Sequence, residues 1–109
     1  MADEQTPAEN RIIECTESIM GLLKEYRGGE ANKKPIDAAR LLLDEIEKLT
    51  PDGHVHKRTE SLANWIEILY SQQKHLNYGG EKRVRMHILD DVSRIEAFVK
   101  GARVKEAAS

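Results

Sequence analysis

The chain has 109 residues and a mass of 12.4 kDa, the size of a single compact domain. Hydrophobic residues make up 39% and charged residues 33%, with Lys+Arg 17 against Asp+Glu 19, which is too apolar for a disordered chain and too charged for a membrane-embedded one. A single cysteine excludes an internal disulfide and a cysteine-based zinc site, and the few prolines and glycines argue against a loop-rich chain.

Apolar residues recur at helical spacing throughout, with no sustained two-residue alternation. The first helix opens at Thr6-Pro7-Ala8-Glu9. This reads as a capping box, in which Thr6 accepts from the Glu9 amide and Glu9 reaches back, while Pro7 has no amide to leave unpaired. Its central stripe is Ile12, Ile19, Leu23 and Tyr26, with Cys15 and Leu22 on one flank and Ile13 and Met20 on the other. Gly28-Gly29 stops it. A second helix is expected to open near Pro35 and to turn Ile36, Ala39, Leu42, Leu43, Ile46 and Leu49 inward, ending at Thr50-Pro51-Asp52-Gly53.

The third helix is expected from Leu62 to Leu76, with Trp65, Ile66 and Leu69 on its stripe. Two starts compete: Val55 continues the stripe back to about His54, whereas Thr59 offers a cap. Ile68 and Tyr70 fall on opposite flanks, so this helix either touches two neighbours or also meets a second chain. Asn77-Tyr78-Gly79-Gly80 terminates it. The fourth helix runs from Glu81 to about Lys100 with Val84, Ile88, Val92, Ile95 and Val99 inward. Glu81–Arg85, Asp90–Arg94 and Glu96–Lys100 are spaced to pair along its polar side. Residues 1–5 and 102–109 are expected to fray. Short links favour antiparallel neighbours, so the expected architecture is all-α: an antiparallel four-helix bundle of two helical hairpins in one domain spanning residues 1–109. Similar glycine punctuation after Tyr26 and Tyr78 does not amount to a duplication, because the two core faces superpose poorly.

Met86 and Leu89 lie off the inward stripe of the fourth helix, and Leu41 lies off that of the second. These three are candidate apolar anchors for a protein partner, with Lys82, Arg83 and Arg85 at the rim. A symmetric homodimer is the first expectation for such a contact. Residues 1–53 carry a net charge of −5 and residues 54–109 a net +3, a split that steers encounters more than it sets affinity. Lys82, Arg83 and Arg85 also support an alternative, a dimeric DNA-binding regulator reading a groove with the start of the fourth helix. The sequence pI of about 6.1 weighs against it.

Chemistry is sparse. His54 and His56 share a face only in an extended segment; in a helix they diverge by about 200°. Asp52, Glu60, His75 and His87 are the nearest further ligands, at no recognised metal spacing. His87 and Asp91 lie one turn apart, but no nucleophile is tied to them. Cys15, on an apolar flank, reads as a buried inert thiol. Arg83 and His87 stand closer together than the Arg/His pair of helical ribonuclease-toxin domains, and no Glu-x-x-His pair of the di-iron type occurs. Gly28-Gly29 and Gly79-Gly80 are each followed by glutamate, which suits no phosphate. No cofactor, metal or catalytic residue is therefore expected. The opening residues carry no secretory signal, no apolar run approaches the length of a membrane span, and the cytoplasm is the expected compartment. The composite expectation is a small non-enzymatic interaction or regulatory protein, of the size and class of bacterial or phage accessory proteins.

Overall fold

The structure, a computed structural model, describes residues 6–28, 31–71 and 74–108, with the side chains of 75 and 101–108 excepted. It contains helices α1 (Pro7–Glu25), α2 (Lys33–Leu49), α3 (Gly53–Leu69), α4 (Lys74–Asn77) and α5 (Glu81–Ala108). The four long helices form an antiparallel bundle. In it α2 packs on α1 and α3, α5 closes the ring against α3 and α1, and the single turn α4 rests on α3 and α5. Early residues of one helix meet late residues of the next. Arg11 of α1 pairs with Glu45 near the end of α2, and Arg40 of α2 with Glu67 near the end of α3.

Each start has a local cause. Thr6 accepts from the Glu9 amide at 3.1 Å and Glu9 accepts from the Thr6 amide at 3.4 Å, completing the expected capping box. The second helix begins two residues before Pro35. Asn32 caps it by accepting from the Lys34 amide at 3.1 Å, and Pro35 then falls within the first turn, where a missing N–H leaves no helical bond unmade. Asp52 settles the start of α3, accepting from the His54 amide at 2.8 Å. Thr59 is therefore not a cap. It is buried in mid-helix, its hydroxyl 2.7 Å from the Glu47 carboxylate and 2.8 Å from the His56 carbonyl.

The third helix stops at Leu69, short of the expected Leu76. The Tyr70 and Ser71 amides bond back to the carbonyls of Ile66 and Ile68, and the chain leaves the helix before the separate turn of α4. The following Gly79 and Gly80 have φ of 93° and 91°, a region closed to most side chains, so this pair reverses the chain into α5. That helix continues past Lys100 to Ala108; residues 1–5, also expected to fray, lie outside the described residues.

The core joins Ile12, Ile19 and Leu23 of α1 to Leu43 and Ile46 of α2, Leu62, Ile66 and Leu69 of α3, and Val84, Ile88, Val92, Ile95 and Val99 of α5. Ile68 and Tyr70, at and just past the end of α3, are buried within this single chain, where α3 packs on α2 and α5 and also carries α4. The Tyr70 hydroxyl donates to the Tyr26 carbonyl at 3.1 Å. No helix of the described residues is long and apolar enough to cross a membrane.

Candidate functional site

Among the described residues the exposed large apolar side chains are Leu41, Leu76, Tyr78, Met86 and Leu89, and the last two stand where α5 passes the last turns of α1. Met86 and Leu89 are 63% and 52% exposed. Both point away from the Val84–Ile88–Val92 stripe because their positions lie far round the helical wheel from it. Together with Met20 and Leu23 of α1 they line an open groove of about 290 Å³, whose remaining walls are Lys24, Lys82 and Arg85. Met86 and Leu89 also line a second, larger open depression of about 550 Å³ on the other side, with Arg83, His87, Asp90 and Ser93, so they stand as the ridge between the two.

Of the six residues expected to make contacts, the structure gathers Met86, Leu89, Lys82 and Arg85 at this groove and places Arg83 beside it. Leu41 is 73% exposed but belongs to α2, which stands across the ring from α5, so it lies apart from the groove lined by Met86 and Leu89. Met20 and Lys24 complete the site. Which flank of α1 meets α5 depends on the order of helices round the ring, which periodicity within one helix does not reveal.

Arg85 has a second task. Its guanidinium donates to the carbonyl of Leu23 at 2.6 Å and to that of Tyr26 at 3.2 Å, while Nε donates to Glu81 at 3.1 Å. The last carbonyls of a helix have no partner within it, and here a planar fork from another helix supplies one. Much of the Arg85 donor set is thus spent inside the fold, leaving Lys82 and Arg83 as the exposed cations of the expected DNA-reading turn. The other α5 carboxylates are engaged in turn. Asp90 pairs with Arg94, and Glu96 accepts from the Thr16 hydroxyl at 3.0 Å rather than pairing with Lys100.

The candidate chemical sites are taken apart by the same geometry. His54 and His56 lie in α3. The His54 ring stacks on Phe98 at 5.2 Å, whereas His56 Nε2–H donates to the Thr50 carbonyl at 2.6 Å, with that of Glu47 at 3.2 Å. Two carbonyl acceptors fix that nitrogen as a donor, and it serves the end of α2 as Arg85 serves the end of α1. No three metal-ligating side chains cluster among the described residues; the His75 side chain lies outside them. His87 stacks on Trp65 at 4.2 Å. Asp91, 3% exposed, accepts from Ser61 at 2.7 Å and from Arg58 at 3.3 Å, so the two residues serve different partners and form no acid–base dyad. Cys15 is buried, and that burial pushes its thiol pKa up, away from the reactive thiolate. Against known proteins, the chain matches no family model, no curated protein and no solved structure.

Proposed function

We propose that this protein is a small non-enzymatic regulatory or accessory protein that binds another protein through the α1/α5 face, with Met86 and Leu89 as its anchors. The observation that carries this reading is the open groove itself, where two exposed large apolar side chains, Met86 and Leu89, meet Met20 and Leu23 of a second helix. Exposed apolar surface of this kind, rimmed by charge, marks contact sites. Methionine suits them because its flexible, polarizable side chain adapts to the partner's shape. The candidate nucleophile and bases are committed to packing, capping or ion pairing, which favours contact over catalysis. The cytoplasm is the compartment this reading assigns.

The test compares the protein with a Met86→Asp/Leu89→Asp double variant. Both positions are largely exposed, so the double variant is expected to lose no more than about 1 kcal/mol of stability, two surface substitutions in one helix. Parallel purification from the native host, followed by mass spectrometry, is expected to show a bound protein that is lost with the variant. A bound set unchanged by the two aspartates would reject the assignment of this face.

A further inference from the structure

We infer that the α1/α5 groove receives an amphipathic helix whose apolar stripe is flanked by carboxylates. The inference rests on the protein-binding reading above and adds the chemistry of the partner. The apolar lining of the groove is Met20, Leu23, Met86 and Leu89, and every polar residue lining it is a cation, with no carboxylate among them. Two of the three cations lining it, Lys24 and Lys82, are also unspent, Arg85 being held by the end of α1 and by Glu81. Lys24 and Lys82 make no hydrogen bond or ion pair among the described residues, and neither does the neighbouring Arg83. The nearby carboxylates Glu81, Asp90 and Glu96 are held by Arg85, Arg94 and Thr16. Unpaired positive charge beside open apolar surface calls for a ligand with the opposite charge on either side of its own apolar stripe.

A helix supplies that pattern directly. Residues at i, i+3, i+4 and i+7 form one stripe, and the positions beside it carry the charges. The space between two antiparallel helices is a trough running along both axes, the shape into which a third helix lays an apolar face. A second copy of this chain fits less well. A two-fold contact sets the same patch against itself, bringing Lys24 and Lys82 of one protomer to the lysines of the other. Duplex DNA fits less well again, because the groove is lined largely by thioether and hydrocarbon and Arg85 is occupied by the end of α1.

The experiment uses three fluorescein-labelled helical peptides of about four turns, titrated with the full-length protein in fluorescence anisotropy. One carries leucines at i, i+3, i+4 and i+7 flanked by glutamates. The second replaces the glutamates by lysines, and the third replaces the leucines by serines. The glutamate-flanked leucine peptide is expected to bind at least about tenfold more tightly than either control, to weaken as salt is raised, and to be lost with Leu89→Asp. Lys24→Glu/Lys82→Glu is expected to reverse the preference toward the lysine-flanked peptide, with an unchanged helical circular-dichroism spectrum confirming the fold.

Equal binding of the two leucine peptides would overturn the charge assignment, and equal binding of the serine peptide would overturn the apolar one. Absence of peptide binding would overturn the inference. So would sedimentation showing a dimer dissolved by Met86→Asp/Leu89→Asp, or duplex binding lost with Lys82→Ala/Arg83→Ala. Loss of a native partner with Met86→Asp/Leu89→Asp, alongside failure of every peptide, would sink the helix assignment alone and leave the protein-binding reading standing.

Discussion

At the scale of single residues, the polar groups of this bundle mostly terminate or tie helices. Arg85 is the clearest case, since one guanidinium joins the end of α1 to the first turn of α5. Hydrogen bonds involving a charged group contribute roughly 1.5–3 kcal/mol. Arg85→Ala is therefore expected to cost about 2 kcal/mol in denaturant unfolding. Arg85→Lys should recover only part of it, because an ammonium lacks the planar fork that spans two carbonyls; full recovery by lysine would show that charge alone matters. Arg11 acts between α1 and α2, and its hydrogen bonds hold the Glu45 carboxyl below the ordinary carboxylate pKa. A carboxyl whose folded pKa is depressed stabilises the fold above its unfolded pKa, and that contribution fades as pH falls through the folded value. Glu45→Gln is accordingly expected to flatten the acid limb of the stability–pH profile while leaving the neutral-to-alkaline limb parallel to that of the parent. An unchanged acid limb would remove Glu45 from the list of groups linked to folding.

At the scale of elements, the points where the chain turns carry the tightest constraints. A Cβ on Gly28 would sit 2.6 Å from Leu69 Cδ1 and 2.9 Å from Glu81 Oε1, where the link after α1 passes between the end of α3 and the start of α5. Leu69 is fully buried and has little room to yield. Gly28→Ala is expected to cost about 1–3 kcal/mol by overpacking, measured by thermal or denaturant unfolding; a neutral result would mean that α3 and α5 can part there without loss. Helix identity was legible because core stripes and caps are local. Thr6 with Glu9, and the Val84-to-Val99 stripe, each lie within a single segment. Boundaries were less legible where two local signals competed. Asp52 outweighs Thr59 because it stands just before a stripe already running through Val55, while Thr59 is needed by Glu47. The end of α3 was invisible because Leu76 keeps helical spacing with Leu69 yet belongs to a separate turn and is exposed.

At the scale of the whole molecule, the ring of helices is unequal, and the same inequality explains how much of the candidate site could be read in advance. Exposure of Met86 and Leu89 follows from the wheel of one helix. Their pairing with Met20 and Lys24 depends on α5 returning to α1, a long-range contact no periodicity encodes, and the outward Leu41 belongs to the helix across the ring. The packing of α5 is most extensive on α3, where the buried Asp91 receives Ser61 and Arg58 and the His87 ring covers Trp65. Against α1 lies the thinnest seam between long helices, held by core side chains, the Thr16–Glu96 bond and the Arg85 fork. Proteins open in cooperative units set by such differences in contact. Native-state hydrogen exchange is therefore expected to show the slowest amides in α3 and the Val84–Ile95 part of α5, with α1 opening at lower free energy. A peptide bound in the α1/α5 groove would bridge the thinnest seam and should slow exchange in α1 more than in α3. Uniform protection across the four long helices would instead make the bundle one cooperative unit, and slowing confined to α3 would put the ligand elsewhere.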